Sequence, residues 1–210
     1  FLSIKSTVVL AKSKILFTSY IDLVGLNKER FSEKYGPHNL HNFLAVASAC
    51  SVLGLKEEDI LKSVNSLPQV KWREELVYDK QGLRIYNDTA ATSPEAAISA
   101  VERFKIDGEK FVLIAGGTDR ELDFKGWGKY INTNLKPENI ILLSGSATEK
   151  MKKELEFVSE EYDTLEECLS SAIKKASTIV FSPGAKSFEK FKNEFDRGEK
   201  FNELVSKILS

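Results

Sequence analysis

Phe111-Val112-Leu113-Ile114-Ala115-Gly116-Gly117-Thr118-Asp119-Arg120 is the stretch that decides the fold. Its apolar run, Phe111 to Ala115, has no polar alternation. That is the pattern of a strand covered on both faces, as in a parallel sheet with helices on each side. The glycine pair that follows marks the point where the backbone turns out of the strand. In an open α/β sheet, such strand ends and the loops after them form the ligand crevice. Two further stretches stand in the same relation to a hydrophobic run. Asn87-Asp88-Thr89-Ala90-Ala91-Thr92-Ser93-Pro94 follows Leu83–Tyr86, and Ser182-Pro183-Gly184-Ala185-Lys186-Ser187-Phe188 follows Thr178–Phe181. Small residues, hydroxyls and an arginine at those places suit a small anion. Any one of the three stretches alone reads better as punctuation of a strand-to-helix turn, and it is the three together that point to a site.

Working outward, strands and helices alternate. Leu76–Tyr78 and Leu83–Tyr86 read as strands joined at Lys80-Gln81-Gly82. A helix is predicted over Pro94–Phe104, with proline at a favoured early position. Further helices are predicted near Trp127–Thr133, over Ala147–Leu155 and over Leu165–Ala176. Strands are predicted at Ile140–Leu143, near Phe157-Val158 and at Thr178–Phe181. Two closing helices are expected, about Lys186–Asp196 and Glu199–Leu209, with Phe188, Phe191 and Phe195 on one inward face. This alternation predicts an α/β fold with a Rossmann-like, doubly wound, mostly parallel sheet. Before it, Val8–Leu10 and Lys14–Phe17 read as short strands. Leu40, Phe43, Leu44, Ala47, Cys50 and Leu53 recur at helical spacing up to Gly54, and Glu57–Val64 gives a second helix with Leu61 and Val64 inward. Pro68 breaks the chain, and the change of period places a boundary near residue 70, giving parts 1–70 and 71–210.

Composition narrows the function classes. The 210 residues are 42% hydrophobic and 29% charged, with a formal net charge of -1, which describes an ordinary globular chain. The balance offers no electrostatic case for nucleic acid. No apolar run reaches membrane-spanning length, and the start lacks the pattern of a signal peptide. Cys50 and Cys168 lie far apart within apolar helical patterns, which predicts free thiols and a cytoplasmic location. With His38 and His41 the only histidines, no metal site is expected. No Gly-x-x-x-x-Gly-Lys-Ser/Thr loop is present, so the chain has no phosphate cradle of that type.

The candidate binding residues each carry two readings. Arg120, just past the apolar strand, can hold a carboxylate with two parallel hydrogen bonds, or pair with Glu121 or Asp123 in solvent. Ser187 and Phe188 are read as opening a helix, where free N–H groups attract anions, although on helix signals alone Ser187 reads better as a cap. Asp88 can accept from ribose hydroxyls or make an Asx turn. Thr89 and Thr92 can contact an anion or satisfy the turn. Asn39 and Asn42 lie one helical turn apart and can face one cleft, where asparagine suits an adenine edge; capping is their alternative use.

Several of these stretches resemble a known family. Gly36-Pro37-His38-Asn39-Leu40-His41-Asn42 resembles the Gly-x-His-Asn-x-x-Asn motif of the Mur ligases. Arg73 and Glu75 resemble that family's Arg-x-Glu at an interdomain joint, and Tyr86–Pro94 and Ile114–Gly117 also match. The stretch from Ser182 to Phe201 is similar to the tail of the D-glutamate-adding branch. The resemblance covers nearly the whole chain from Gly36 onward. Where the family often has His-Arg this chain has Trp72-Arg73. Where it often has Ser-Lys-Ala-Thr this chain has Thr89-Ala90-Ala91-Thr92, so a charge carried elsewhere by that lysine must come from another residue.

The resemblance implies a C-terminal piece of an ATP-dependent, amide-forming ligase that adds D-glutamate to UDP-N-acetylmuramoyl-L-alanine in peptidoglycan synthesis. Residues 1–70 would be the end of the central ATPase domain and 71–210 the amino-acid-binding domain, with the N-terminal domain and most of the central one missing. Family members activate the substrate carboxylate as an acyl phosphate, which the amine of D-glutamate attacks. ATP and Mg would belong to the full-length enzyme, with none bound to the fragment. The resemblance places the nucleotide at Asn39, Asn42, Arg73 and Asp88, and D-glutamate at Thr92, Arg120, Ser187, Phe188 and Phe195. It assigns no catalytic residue within the chain, and the fragment alone is expected to be inactive. The alternatives are another Mur or folylpolyglutamate-type ligase, or a non-catalytic Rossmann-like binding module.

Overall fold

A computed structural model describes residues 8–11, 14–17, 23, 25–105 and 110–210. Backbone contacts divide the chain into two units, Phe1–Pro68 and Gln69–Ser210.

In the first unit, β1 (Val8–Ala11) pairs antiparallel with β2 (Lys14–Phe17). Helices α1 (Lys28–Tyr35), α2 (Pro37–Val52) and α3 (Glu57–Val64) follow. The periodicity did not reveal α1, because its sequence offers only Phe31 and Tyr35 as apolar positions. Asn27 starts it, its side chain accepting from the Arg30 N–H at 2.8 Å, a capping bond that satisfies one otherwise orphaned donor. Phe31, Phe43, Leu44, Ala47 and Ile60 form the core of this unit with Leu23. Leu53 was expected on the inward stripe; it is exposed instead, because α2 ends at Val52.

In the second unit, β3 (Glu75–Lys80) and β4 (Leu83–Asn87) form a hairpin. Gln81 and Gly82 both have positive φ, 54° and 78°, as the primed hairpin turns require. The chain then runs through α4 (Pro94–Phe104), β5 (Phe111–Gly116), α5 (Lys125–Asn134), β6 (Ile140–Leu143) and α6 (Ser146–Glu154). It closes through β7 (Glu160–Tyr162), α7 (Leu165–Ile173), β8 (Thr178–Phe181) and α8 (Glu194–Leu209). The six-stranded sheet has the order β3-β4-β8-β5-β6-β7. All described pairs in it are parallel except β3 with β4.

The two faces follow the two-residue period of each strand. Leu113, Ala115, Ile140, Leu142 and Val180 pack with Ala97, Val101, Trp127, Ile131 and Met151 of α4, α5 and α6. Val112, Ile114, Ile141, Leu143, Ile179 and Phe181 pack with Leu165, Leu169, Phe201 and Val205 of α7 and α8. Both faces are therefore dry, which is why these strands read as unbroken apolar runs.

Three expectations need correction. The strand near Phe157-Val158 is β7, a few residues later, and Val158 is exposed. The helix from Leu165 ends at Ile173, short of Ala176. The two closing helices are one, α8. Lys186 is held by a backbone bridge to Thr118, in both directions at 2.8 and 3.1 Å, and residues 187–193 form turns rather than a helix. Asn193 then caps α8, accepting from the Asp196 N–H at 2.9 Å. Phe188 and Phe195, expected in a core, are about half exposed, whereas Phe191 is partly buried on the α7–α8 side.

Candidate functional site

The sheet order sets the site. The connection from β4 to β5 passes over β8, so the loops that follow these three adjacent strands emerge side by side at the same edge. This is the kind of position at which open α/β sheets bind ligands. Backbone bonds lace the loops together. Asp88 N–H donates to Phe181 O at 2.8 Å, Gly184 N–H to Ala91 O at 3.0 Å, and Gly116 N–H to Pro183 O at 2.9 Å. Gly116 and Gly117 have φ of 113° and 140°. A Cβ at Gly117 would lie 2.4 Å from Lys186 O. Only glycine allows this backbone conformation together with so close an approach.

Arg197, on the inward side of α8, is fully buried and ties two of the loops to that helix. Its Nε donates to Thr89 Oγ1 and its Nη2 to Thr89 O, both at 2.9 Å. Its Nη1 donates to Ala185 O and Lys186 O, both at 3.1 Å. Burial draws the guanidinium down to about 9, against the opposing pull of Glu194 and Asp88. It still carries its charge at neutral pH, and its hydrogen bonds to carbonyls compensate for lost hydration. The sequence reading did not single out Arg197. The available signal was its place four residues before Phe201 and eight before Val205, on the apolar stripe of α8.

Asp88 is also buried. Its Oδ2 accepts from Ser182 Oγ at 2.7 Å and its Oδ1 from the Glu74 N–H at 3.1 Å. Burial pushes its carboxyl up to about 7, although the Ser182 bond acts the other way. Glu74 is itself buried and paired with Arg103. Asp88 thus anchors the strap before β3, in which Trp72 and Glu74 have positive φ of 62° and 48°. Glu75 accepts from the Trp72 N–H at 2.9 Å within the same strap.

The structure groups Thr92, Arg120, Ser187 and Phe188 around these loops. Lys186 Nζ donates to Thr92 Oγ1 at 3.0 Å. Arg120 is exposed and lies over the Phe188 ring, 4.9 Å from its centroid. Neither Glu121 nor Asp123 pairs with Arg120; the nearby Asp119 is held at 2.6 Å by Lys150, which keeps its carboxyl below the usual range. Ser187 is 2% exposed, and its hydroxyl has no hydrogen-bond partner among the described residues. The expected helix start at Ser187-Phe188 is absent, so no row of free helical N–H groups stands there. Phe195 is set apart from this group by its stacking on Trp72, with ring centroids 5.0 Å apart.

Asn39 and Asn42 share one face of α2 in the first unit, where Asn42 Nδ2 donates to Asn39 Oδ1 at 3.2 Å and Asn39 Nδ2 to Tyr35 O at 2.7 Å. Arg73 is exposed in the second unit, beside buried Glu74. Among the described residues, no group of three or more His, Cys, Asp or Glu is placed to hold a metal, and no helix is long and apolar enough to cross a membrane.

No protein-family model matches the chain. The chain is 37% identical over 179 residues to the UDP-N-acetylmuramoylalanine–D-glutamate ligase of Roseiflexus sp., covering 81% of this chain and 37% of that protein. It is 40% identical over 145 residues to the ligase of the same name from Borreliella burgdorferi, covering 66% and 32%. For that of Treponema pallidum the identity is 35% over 185 residues, covering 85% and 34%. The chain therefore spans about a third of the length of these relatives. Among solved structures, folylpolyglutamate synthase from Thermotoga maritima matches with a TM-score of 0.52 and 20% identity, over 81% of this chain and 39% of that one. Escherichia coli FolC in complex with ADP gives 0.56 and 17%, over 80% and 40%. These two likenesses concern the fold. The sequence matches make this chain a member of the Mur ligase family, similar to its D-glutamate ligases.

Proposed function

We propose that this chain is part of an ATP-dependent ligase that adds D-glutamate to UDP-N-acetylmuramoyl-L-alanine in the cytoplasm, and that its second unit holds the incoming amino acid. The observation that carries this reading is the grouping of Arg120, Phe188, Ser187 and Thr92 at the edge where the β4, β5 and β8 loops emerge. The names and identities of the relatives support the choice of reaction. Arg120 has the forked donors that a carboxylate requires, without a competing carboxylate of its own among the described residues. Its seat on the Phe188 ring limits the motion of a long side chain, and less ordering then remains to be done on binding. Phe188 gives the site an apolar wall, and Phe195 lines the neighbouring strap with Trp72.

In this reading exposed Arg73 is the second unit's contact to the nucleotide, and Asn39 and Asn42 are the first unit's. Asp88, expected to contact the nucleotide, is buried with its oxygens accepting from Ser182 and the Glu74 N–H, and braces the strap instead. ATP phosphates and Mg are assigned in this reading to other parts of the full-length enzyme, and residues 1–210 alone are expected to turn over no ATP. The chain's own contribution is to neutralise and orient the amino acid, leaving its amine free to react.

The test is phosphate release by a full-length protein that contains this chain. D-glutamate should support turnover, whereas L-lysine, meso-diaminopimelate and L-alanine should not; equal use of any of these three would refute the D-glutamate assignment. Loss of one charge-assisted contact costs roughly 1.5–3 kcal/mol. Arg120→Ala should accordingly weaken D-glutamate use by about one to two orders of magnitude, with little change in apparent ATP affinity. The opposite pattern would show that the site has been divided wrongly.

A further inference from the structure

A dicarboxylic amino acid brings two negative groups, and the helix start expected at Ser187 to receive one of them is absent. One side chain in the group can take that place. Lys186 is half-buried, and its Nζ is held at 3.0 Å by the neutral Thr92 hydroxyl. No carboxylate among the described residues pairs with it. Neighbouring charges are committed elsewhere. Asp119 pairs with Lys150, Glu189 accepts from the Ser146 N–H and hydroxyl, and Asp88 accepts from Ser182.

The contrast with a cavity of about 510 Å³ between α7 and α8 is informative. The ammonium groups there are matched to carboxylates: Lys190 with Asp163, Lys200 with Asp196, and Lys207 with Glu166. Lys186 has no such match among the described residues, yet its backbone is held on both sides. Thr118 binds its N–H and its carbonyl, and Arg197 Nη1 also donates to that carbonyl. Next to it lies the buried, unpartnered Ser187 hydroxyl. A rigidly mounted cation with only a neutral partner, beside an uncommitted hydroxyl, is suited to an anion.

We propose that Lys186, seated on Thr92 beside Ser187, binds one carboxylate of the incoming acidic amino acid while Arg120 binds the other. This rests on the ligase reading above. The experiment is steady-state phosphate release by the full-length protein, with D-glutamate varied against saturating ATP and UDP-linked substrate. Lys186→Met should raise the KM for D-glutamate about 10- to 100-fold, leave the KM for ATP within about twofold, and leave most of kcat. Lys186→Arg, which keeps the charge, should recover most of the loss. Lys186→Gln gives a second neutral variant should the methionine one fold poorly, with circular dichroism as the check on folding. If the unaltered protein does not use D-glutamate, the ligase reading fails and this inference falls with it. If that protein is active and folded Lys186→Met or Lys186→Gln keeps its KM for D-glutamate within about twofold, the Lys186 assignment alone is overturned.

Discussion

The buried Asp88 carboxyl should make the stability of the second unit depend on pH in a direction opposite to that of a salt-bridged aspartate. Its ordinary value is 3.8, and burial raises it to about 7 in the folded state. The folded protein therefore holds this proton more tightly than the unfolded chain does. The stabilisation is complete below about pH 4 and is lost as pH rises through about 7. Between pH 5 and pH 8 the loss through this one group is on the order of 2–3 kcal/mol. Asp88→Asn removes the titration while keeping an acceptor for the Glu74 N–H and a polar partner for Ser182. Urea unfolding followed by tryptophan fluorescence is the suitable assay, since Trp72 and Trp127 both lie in the second unit. Other titrations are shared by the two proteins and cancel in the comparison. The asparagine variant should gain on the order of 2–3 kcal/mol relative to the parent on moving from pH 5 to pH 8. An unchanged difference between the two proteins across that range would refute the argument, because it would mean that the carboxyl ionises as easily when folded as when unfolded.

Arg197→Met should destabilise the second unit by about 3–5 kcal/mol, as measured by the same unfolding assay, because it strands the buried carbonyls of Thr89 and Ala185 and removes one of the two donors to the Lys186 carbonyl. A loss under about 1 kcal/mol would show that those carbonyls find other partners. Gly117→Ala should cost at least about 1–3 kcal/mol from its φ of 140° alone, and in the full-length enzyme it should disturb the Lys186 side of the site, since its Cβ would meet Lys186 O. Of the two thiols, Cys168 should stay unreactive toward a thiol reagent at pH 8 in the native protein, since burial pushes it up to about 12. Prompt modification of both thiols before unfolding would contradict that.

The α/β character and most of the elements were legible from the sequence, for a physical reason. Strands buried on both faces, such as Phe111–Gly116, Ile140–Leu143 and Thr178–Phe181, must be apolar throughout, and their helices must carry one apolar stripe. Punctuation at Gly82, Ser93-Pro94 and Gly116-Gly117 is equally local, because it follows from φ and from capping. The stretches after β4, β5 and β8 could therefore be marked as a candidate site, and as loops emerging at one edge of the sheet, before any contact was known. Segment 187–193 was illegible because its Phe188, Phe191 and Phe195 spacing imitates a helix. A backbone bridge from Lys186 to Thr118, nearly 70 residues away in sequence, holds it otherwise, and no local propensity encodes such a partner. The same holds for the charges. Asp88, Lys186 and Arg197 look alike in sequence, as polar residues near turns or on a helix. Tertiary packing alone buries Asp88 against Ser182, sinks Arg197 beneath the loops, and leaves Lys186 with only a hydroxyl for company. Desolvation depends on what surrounds a group in space, and that is decided only when distant strands come together.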